Sequence, residues 1–211
     1  MILHKYWKAE YSIVLLVIAG VLLYFMPVPF ESTRQAGFIS RWNETYNKVN
    51  YMFQVIHAHI SDDVLKSFER AKTSEEREKL LIQIIKPYLR INTEKSVPKR
   101  YRTKYMNKTR VYKGQDYYFD DLFYTEDSKI VGVKDMHEHD GPLFVLMFDI
   151  NGILPPNTWG KDIFGISIFD EGRIEPFGEG LNMDDLKQDC SPSGLGITCS
   201  YYYIIGGGFE E

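Results

Sequence analysis

The chain has 211 residues, enough for one domain of ordinary size with an appendage. Hydrophobic residues make up 44% and charged residues 26%, which excludes a disordered chain and a polytopic membrane protein. The 25 basic and 29 acidic side chains leave a net charge of -4, so no overall basic field exists to hold nucleic acid, and none is expected as a partner.

The apolar residues are unevenly spread. From Ile13 to Phe30 the chain reads IVLLVIAGVLLYFMPVPF, with no charge. Roughly 20 apolar residues rising ~1.5 Å each span a bilayer core. Trp7, Tyr11 and Tyr24 stand where interfacial anchors belong. Residues 11–30 are therefore predicted to span a membrane, behind a short cytoplasmic amino end at 1–10. A cleaved signal sequence needs small residues after its apolar core; Pro27, Val28, Pro29 and Phe30 stand there instead. His4, Lys5 and Lys8 bias the start toward the cytoplasm and export everything after Phe30, into a compartment where disulfides persist. Glu10 reads in two ways. It is a first-turn acid at the positive end of a helix dipole, or a charge that docks on another subunit.

Residues 31–60 read as an amphipathic continuation of the helix. Ile39, Trp42, Tyr46, Val49, Phe53, Ile56 and Ile60 recur at spacings of three and four, one apolar stripe on a helix. Pro27 and Pro29 are expected to kink it near the membrane exit. Residues 61–211 then form an extracytoplasmic α+β domain. Ser61 with Asp62 and Asp63 reads as a helix start, and Thr73 to Glu76 as a capping box. Leu80, Leu81, Ile84, Ile85 and Tyr88 follow as a second stripe, with Pro87 and the polar run Asn92–Lys99 ending it. The basic stretch from Lys95 to Arg110 reads as a solvated loop.

From Val111 the pattern changes to strands. Candidates are Val111–Phe119, Leu122–Thr125, Ile130–Val133, Leu143–Ile150, Ile163–Phe169 and Tyr201–Ile205. The turn signals Asp140-Gly141-Pro142, Asn151-Gly152, Asp170-Glu171-Gly172 and Gly178-Glu179-Gly180 separate them. Short strands with tight turns imply an antiparallel sheet.

No catalytic constellation stands out, and an enzyme is not expected. His137 and His139 are spaced as metal ligands on a strand, but beside Gly141-Pro142 they read as a polar turn. Asp149, Asn151, Asn157 and Asp162 are the candidate cation set: oxygen ligands on a Gly/Pro loop, of the kind calcium takes. Asx residues in turns also bond their own backbone. Cys190 and Cys199 are the only two cysteines. They lie in the exported part, close enough in sequence for a disulfide that would pin a last strand at Tyr201–Ile205.

A membrane helix turning amphipathic, then an antiparallel sheet and a late cysteine pair, resembles the type IV pilin and type II secretion pseudopilin family. Glu10 resembles that family's early helix glutamate, and Pro27 its helix-kinking proline. FDINGILPPNTWGKDIFGISIF, from Phe148 to Phe169, is similar to the DINGxxxPNxxGKDxF pattern of pilin-like proteins. The chain departs from the family where prepilins are cut: Lys5 precedes Tyr6, and no Gly stands ahead of the apolar run. The resemblance implies a long helix packed on a carboxyl-terminal sheet, with Glu10 and Pro27 serving assembly. It also implies pilin or pseudopilin partners, inner-membrane assembly machinery and loops able to hold calcium. The function it implies is that of a non-enzymatic subunit of a type IV pilus or type II secretion-type filament. The alternative is a single-pass anchored extracytoplasmic binding domain that does not polymerise. The absence of a Gly/Ser-rich linker after Phe30 favours the filament subunit.

Overall fold

The computed structural model describes residues 3–25, 27–59, 68, 70–136, 141–169 and 172–209, with side chains in the first two helices described at 11–22 and from 33 onward. The chain divides into two compact units, Met1–Gly37 and Phe38–Glu211.

In the first unit, α1 covers Leu3–Phe25 and α2 begins at Pro27, running on to His59. Met26, between the two helices, lies outside the described residues. Pro27 and Pro29 are both helical, at the first described positions of α2. Every described side chain of α1 from Tyr11 to Leu22 is exposed. Among the described residues no helix is long and apolar enough to cross a membrane.

The second unit is α+β. After α2 come α3 (Ser74–Leu89), β1 (Ile91–Ser96), β2 (Asp121–Thr125), β3 (Ile130–Asp135), β4 (Phe144–Asp149), β5 (Ile163–Ile168), β6 (Ile174–Pro176), α4 (Met183–Asp189) and α5 (Cys199–Ile204). The six strands pair in sequence order, all antiparallel. Alternation sends Val131, Val133, Leu146, Phe148, Phe164 and Ile166 to one face, where the stripes of α2 and α3 cover them. Ile130, Val145, Met147 and Ile163 point the other way, under Phe119, Trp159 and Phe177. Because both faces are covered, β4 is buried at all six positions and reads as an unbroken apolar run.

The predicted stripe of α2 is the helix's core face. Trp42, Val49, Phe53 and Ile56 are buried, with Ile39 and Tyr46 packed beside them; Ile60 lies outside the described residues. Trp42 stacks on Phe164 at 4.8 Å between ring centroids, and its Nε1 donates to the Ser200 carbonyl at 2.7 Å. α3 opens with the predicted capping box. Thr73 accepts from the Glu76 N–H, and the Glu76 carboxylate accepts from the Thr73 N–H. Arg77 Nε and Nη2 both donate to Asp135 Oδ2, a buried ion pair that ties α3 to β3.

Several predicted elements are corrected. Pro87 does not end α3. It sits inside the helix, which stops only at Leu89 with Arg90 in the left-handed conformation as its cap. Asn92–Lys99 is not all loop, since Ile91–Ser96 forms edge strand β1. Only Ile91 in β1 is buried, so its sequence is polar. Val111–Phe119 is not a strand. Gly114 has φ +90°, and the Gln115 and Tyr118 N–H groups close successive turns. Its Val111 and Phe119 are instead spent covering the sheet. Tyr201–Ile205 belongs to helix α5 and its cap, not to a last strand. Tyr202 and Tyr203 are buried side by side, whereas a strand would send them to opposite faces. The helix start at Ser61-Asp62-Asp63 lies outside the described residues.

Candidate functional site

The family-like motif is the connection between β4 and β5. Asp149 ends β4 and Asp162 immediately precedes β5, so the loop starts and finishes on a carboxylate, each fully buried. Tyr101 Oη donates to Asp149 Oδ2 at 2.7 Å, and the Asn151 N–H donates to Asp149 Oδ1 at 3.2 Å. Asp162 Oδ2 accepts from the Asn157 N–H at 2.8 Å, and its Oδ1 from the Thr158 N–H at 2.6 Å. The Asn151 amide donates to the Pro155 carbonyl. The Asn157 amide, oriented to match its neighbours, donates to the carbonyls of Gly152 and Leu154. Gly152 has φ +70°, and a Cβ there would lie 2.3 Å from the Ser128 carbonyl oxygen. Only glycine lets this loop lie against the β2–β3 turn.

Burial dominates the electrostatics. Desolvation pushes the Asp149 carboxyl well above the usual carboxylate range. Asp162 raises it further, against the hydrogen bonds from Tyr101 and the Asn151 and Gly152 N–H groups. Desolvation also raises Asp162, to about 6, against the N–H bonds of Thr158 and Asn157. The Tyr101 phenol is pushed up by burial, then by Asp149. Two carboxyls held this closely do not both ionise readily.

The structure thus brings the four candidate calcium residues, Asp149, Asn151, Asn157 and Asp162, onto one loop, with their carboxylates and amide N–H groups turned on the chain itself and the buried Asn151 Oδ1 without a hydrogen-bond partner among the described residues. Each carboxylate oxygen accepts from a backbone N–H or a phenol, and both amides donate to carbonyls. Among the described residues no cluster of three or more His, Cys, Asp or Glu is placed for a metal ion. The arrangement closes a loop, in the manner of Asx turns.

Cys190 and Cys199 are disulfide-bonded, with Cα atoms 5.4 Å apart. The bridge joins the end of α4 to the start of α5, and so pins a helix rather than the predicted last strand. α5 flanks β5 beyond the reach of β6, where Ser200 Oγ accepts from the Gly165 N–H at 2.9 Å. The side chains of Glu10 and Pro27 lie outside the described residues, as do His137 and His139.

Sequence reasoning missed Tyr101, the partner of Asp149, because it stands within a basic stretch that reads as solvent-facing loop. It also missed α4, although Asn182 ahead of Asp184 and Asp185 is a legible helix start; the Asn182 side chain accepts from the Asp185 N–H. No protein-family model, curated protein or solved structure matches this chain.

Proposed function

We propose that this chain is a non-enzymatic, pilin-like or pseudopilin-like subunit that assembles through its amino-terminal helix into a type IV pilus or type II secretion-type filament. The observation that carries the reading is the contrast along the first two helices. The described side chains from Ile13 to Leu22 are apolar and exposed on every face, whereas the stripe of α2 from Phe38 to Ile56 is buried on the chain's own sheet. The exposed run needs a covering that the second half of α2 already has. A membrane covers it before assembly, and neighbouring subunits cover it afterwards. The disulfide supports export of the second unit, since such bridges persist in oxidising compartments. The inner membrane, its assembly machinery and other pilin-type subunits are the partners this reading requires.

Glu10→Ala tests it, because a carboxylate at the head of an apolar helix is costly unless a neighbour satisfies it. In the cell that makes the protein, the variant is expected to keep its disulfide and its level in the membrane. It is expected to be absent from filaments sheared from the surface. Normal incorporation would overturn the assembly reading in favour of a single-pass anchored domain.

A further inference from the structure

A groove of about 420 Å³ opens on the sheet face turned away from α2 and α3. Its floor is apolar, built from Tyr117, Met136, Val145, Phe177 and Ile197. The charged side chains that line it are Asp116, Glu175 and Glu179, all acidic. Glu175 is already paired with Arg173, and the Lys134 ammonium nearby is spent on the carbonyls of Gln115 and Asp116. Asp116 and Glu179 are exposed, and neither has an ion-pair partner among the described residues. A groove with an apolar floor and two unpaired carboxylates suits a cationic side chain with an aliphatic stem.

The chain carries such groups on the loop between β1 and β2. Lys99, Arg100 and Arg102 are exposed and without a carboxylate partner among the described residues. They are fixed in place by Tyr101, whose phenol is bonded to Asp149. Asp149 closes β4, while the groove is built on Val145. Within one copy no ion pair joins Lys99, Arg100 or Arg102 to Asp116 or Glu179 among the described residues.

We propose that this chain contacts a second copy of itself head to tail, the Lys99–Arg100–Arg102 cluster of one copy seating at the Asp116 and Glu179 groove of the next. Such a contact joins two different surfaces and leaves one of each free at the ends, so it propagates rather than closing into a dimer. It rests on the filament reading and adds the surface by which successive exported domains meet.

The test uses the full chain in detergent micelles, as an equal mixture of ¹⁵N-labelled and unlabelled protein, treated with a water-soluble carbodiimide. The reagent joins a lysine amine to a carboxylate as an amide and takes up the lost water as its urea. Mass spectrometry is expected to find Lys99 linked to Asp116 or Glu179 in mixed-isotope pairs. Asp116→Lys with Glu179→Lys should abolish self-association, as should Lys99→Glu with Arg100→Glu and Arg102→Glu. Mixing the two variants should restore association in strict alternation, which also shows that both fold. Cross-links confined to single copies, or undiminished self-association of either variant alone, would overturn the proposal. So would a failure of the mixture to associate while both variants keep their native near-ultraviolet circular dichroism. The two readings fail separately. Filaments that form with these charges reversed sink this contact and leave the filament; a mixed-isotope link that persists while Glu10→Ala filaments form normally sinks the role of the helix and leaves the contact.

Discussion

Trp42 joins the helix to the sheet through both apolar and polar atoms. Its ring is fully buried between Tyr46, Phe148 and Phe164, and its Nε1 serves the Ser200 carbonyl. Trp42→Ala leaves a large cavity and removes the Nε1 hydrogen bond to the Ser200 carbonyl, and is expected to cost about 3–5 kcal/mol. Denaturant unfolding measures this; a loss near zero would mean that the α2 stripe does not hold the core. Asp149 has the opposite character, because its charge is a liability. Burial and Asp162 raise its folded pKa, as burial raises that of Asp162 to about 6. The folded chain then binds more protons than the unfolded one above the usual carboxylate pKa of ~3.9. The contribution of this pair to stability is therefore present at low pH and lost as pH rises, through about 6 for Asp162 and well above the usual carboxylate range for Asp149. Asp149→Asn removes one of the two charges, so its stability should fall less between about pH 4 and pH 7 than that of the native chain. Parallel urea midpoints for the two proteins across that range would refute the coupling.

At the scale of elements, the carboxyl-terminal region shows how a short helix is held where the local pattern favours a strand. α5 has six residues, too few to be stable alone. The bridge to Cys190 holds its first residue, Ser200 contacts Trp42 and Gly165, and Tyr203 Oη donates to the Gly160 carbonyl at 3.0 Å. Replacing both cysteines by serine should cost about 2–3 kcal/mol, the amount expected for a loop this short. The loss should appear first as faster amide exchange in α4 and α5. Two free thiols in denatured, unreduced protein from its native compartment would contradict the bridge. The Asp149–Asp162 loop is held by a different device. Asx turns and buried carboxylates close it, and Tyr101 fastens it to the loop that carries the basic cluster.

For the whole molecule, the division after Gly37 places the sheet, α3 and the buried stripe of α2 within one compact unit. A chain begun at Glu31 is therefore expected to remain soluble without lipid and to unfold in one cooperative transition. Circular dichroism against denaturant concentration tests this; aggregation or a non-cooperative melt would show that the unit depends on the apolar run ahead of it.

Periodicity determined the buried face of α2 and, with turn signals between them, four of the strands, while residue identity alone marked the apolar run and the capping box of α3. The periodic signals depend on burial repeating every two or 3.6 residues, which a sequence displays directly. The motif between Asp149 and Asp162 was equally visible, and the two cysteines already pointed to each other. Tertiary structure alone decided the rest. β1 is polar because an edge strand buries little, and β6 is only three residues long with a proline that an edge tolerates. Tyr201–Tyr203 has the composition of a strand, yet contacts from residues as distant as Trp42 and Gly160 hold it as a helix. Backbone N–H groups and the Tyr101 phenol, 48 positions upstream of Asp149, reach the carboxylates of the loop that reads as a cation site. Which partner a polar group meets across such distances is a property of the packed fold, and no local pattern records it.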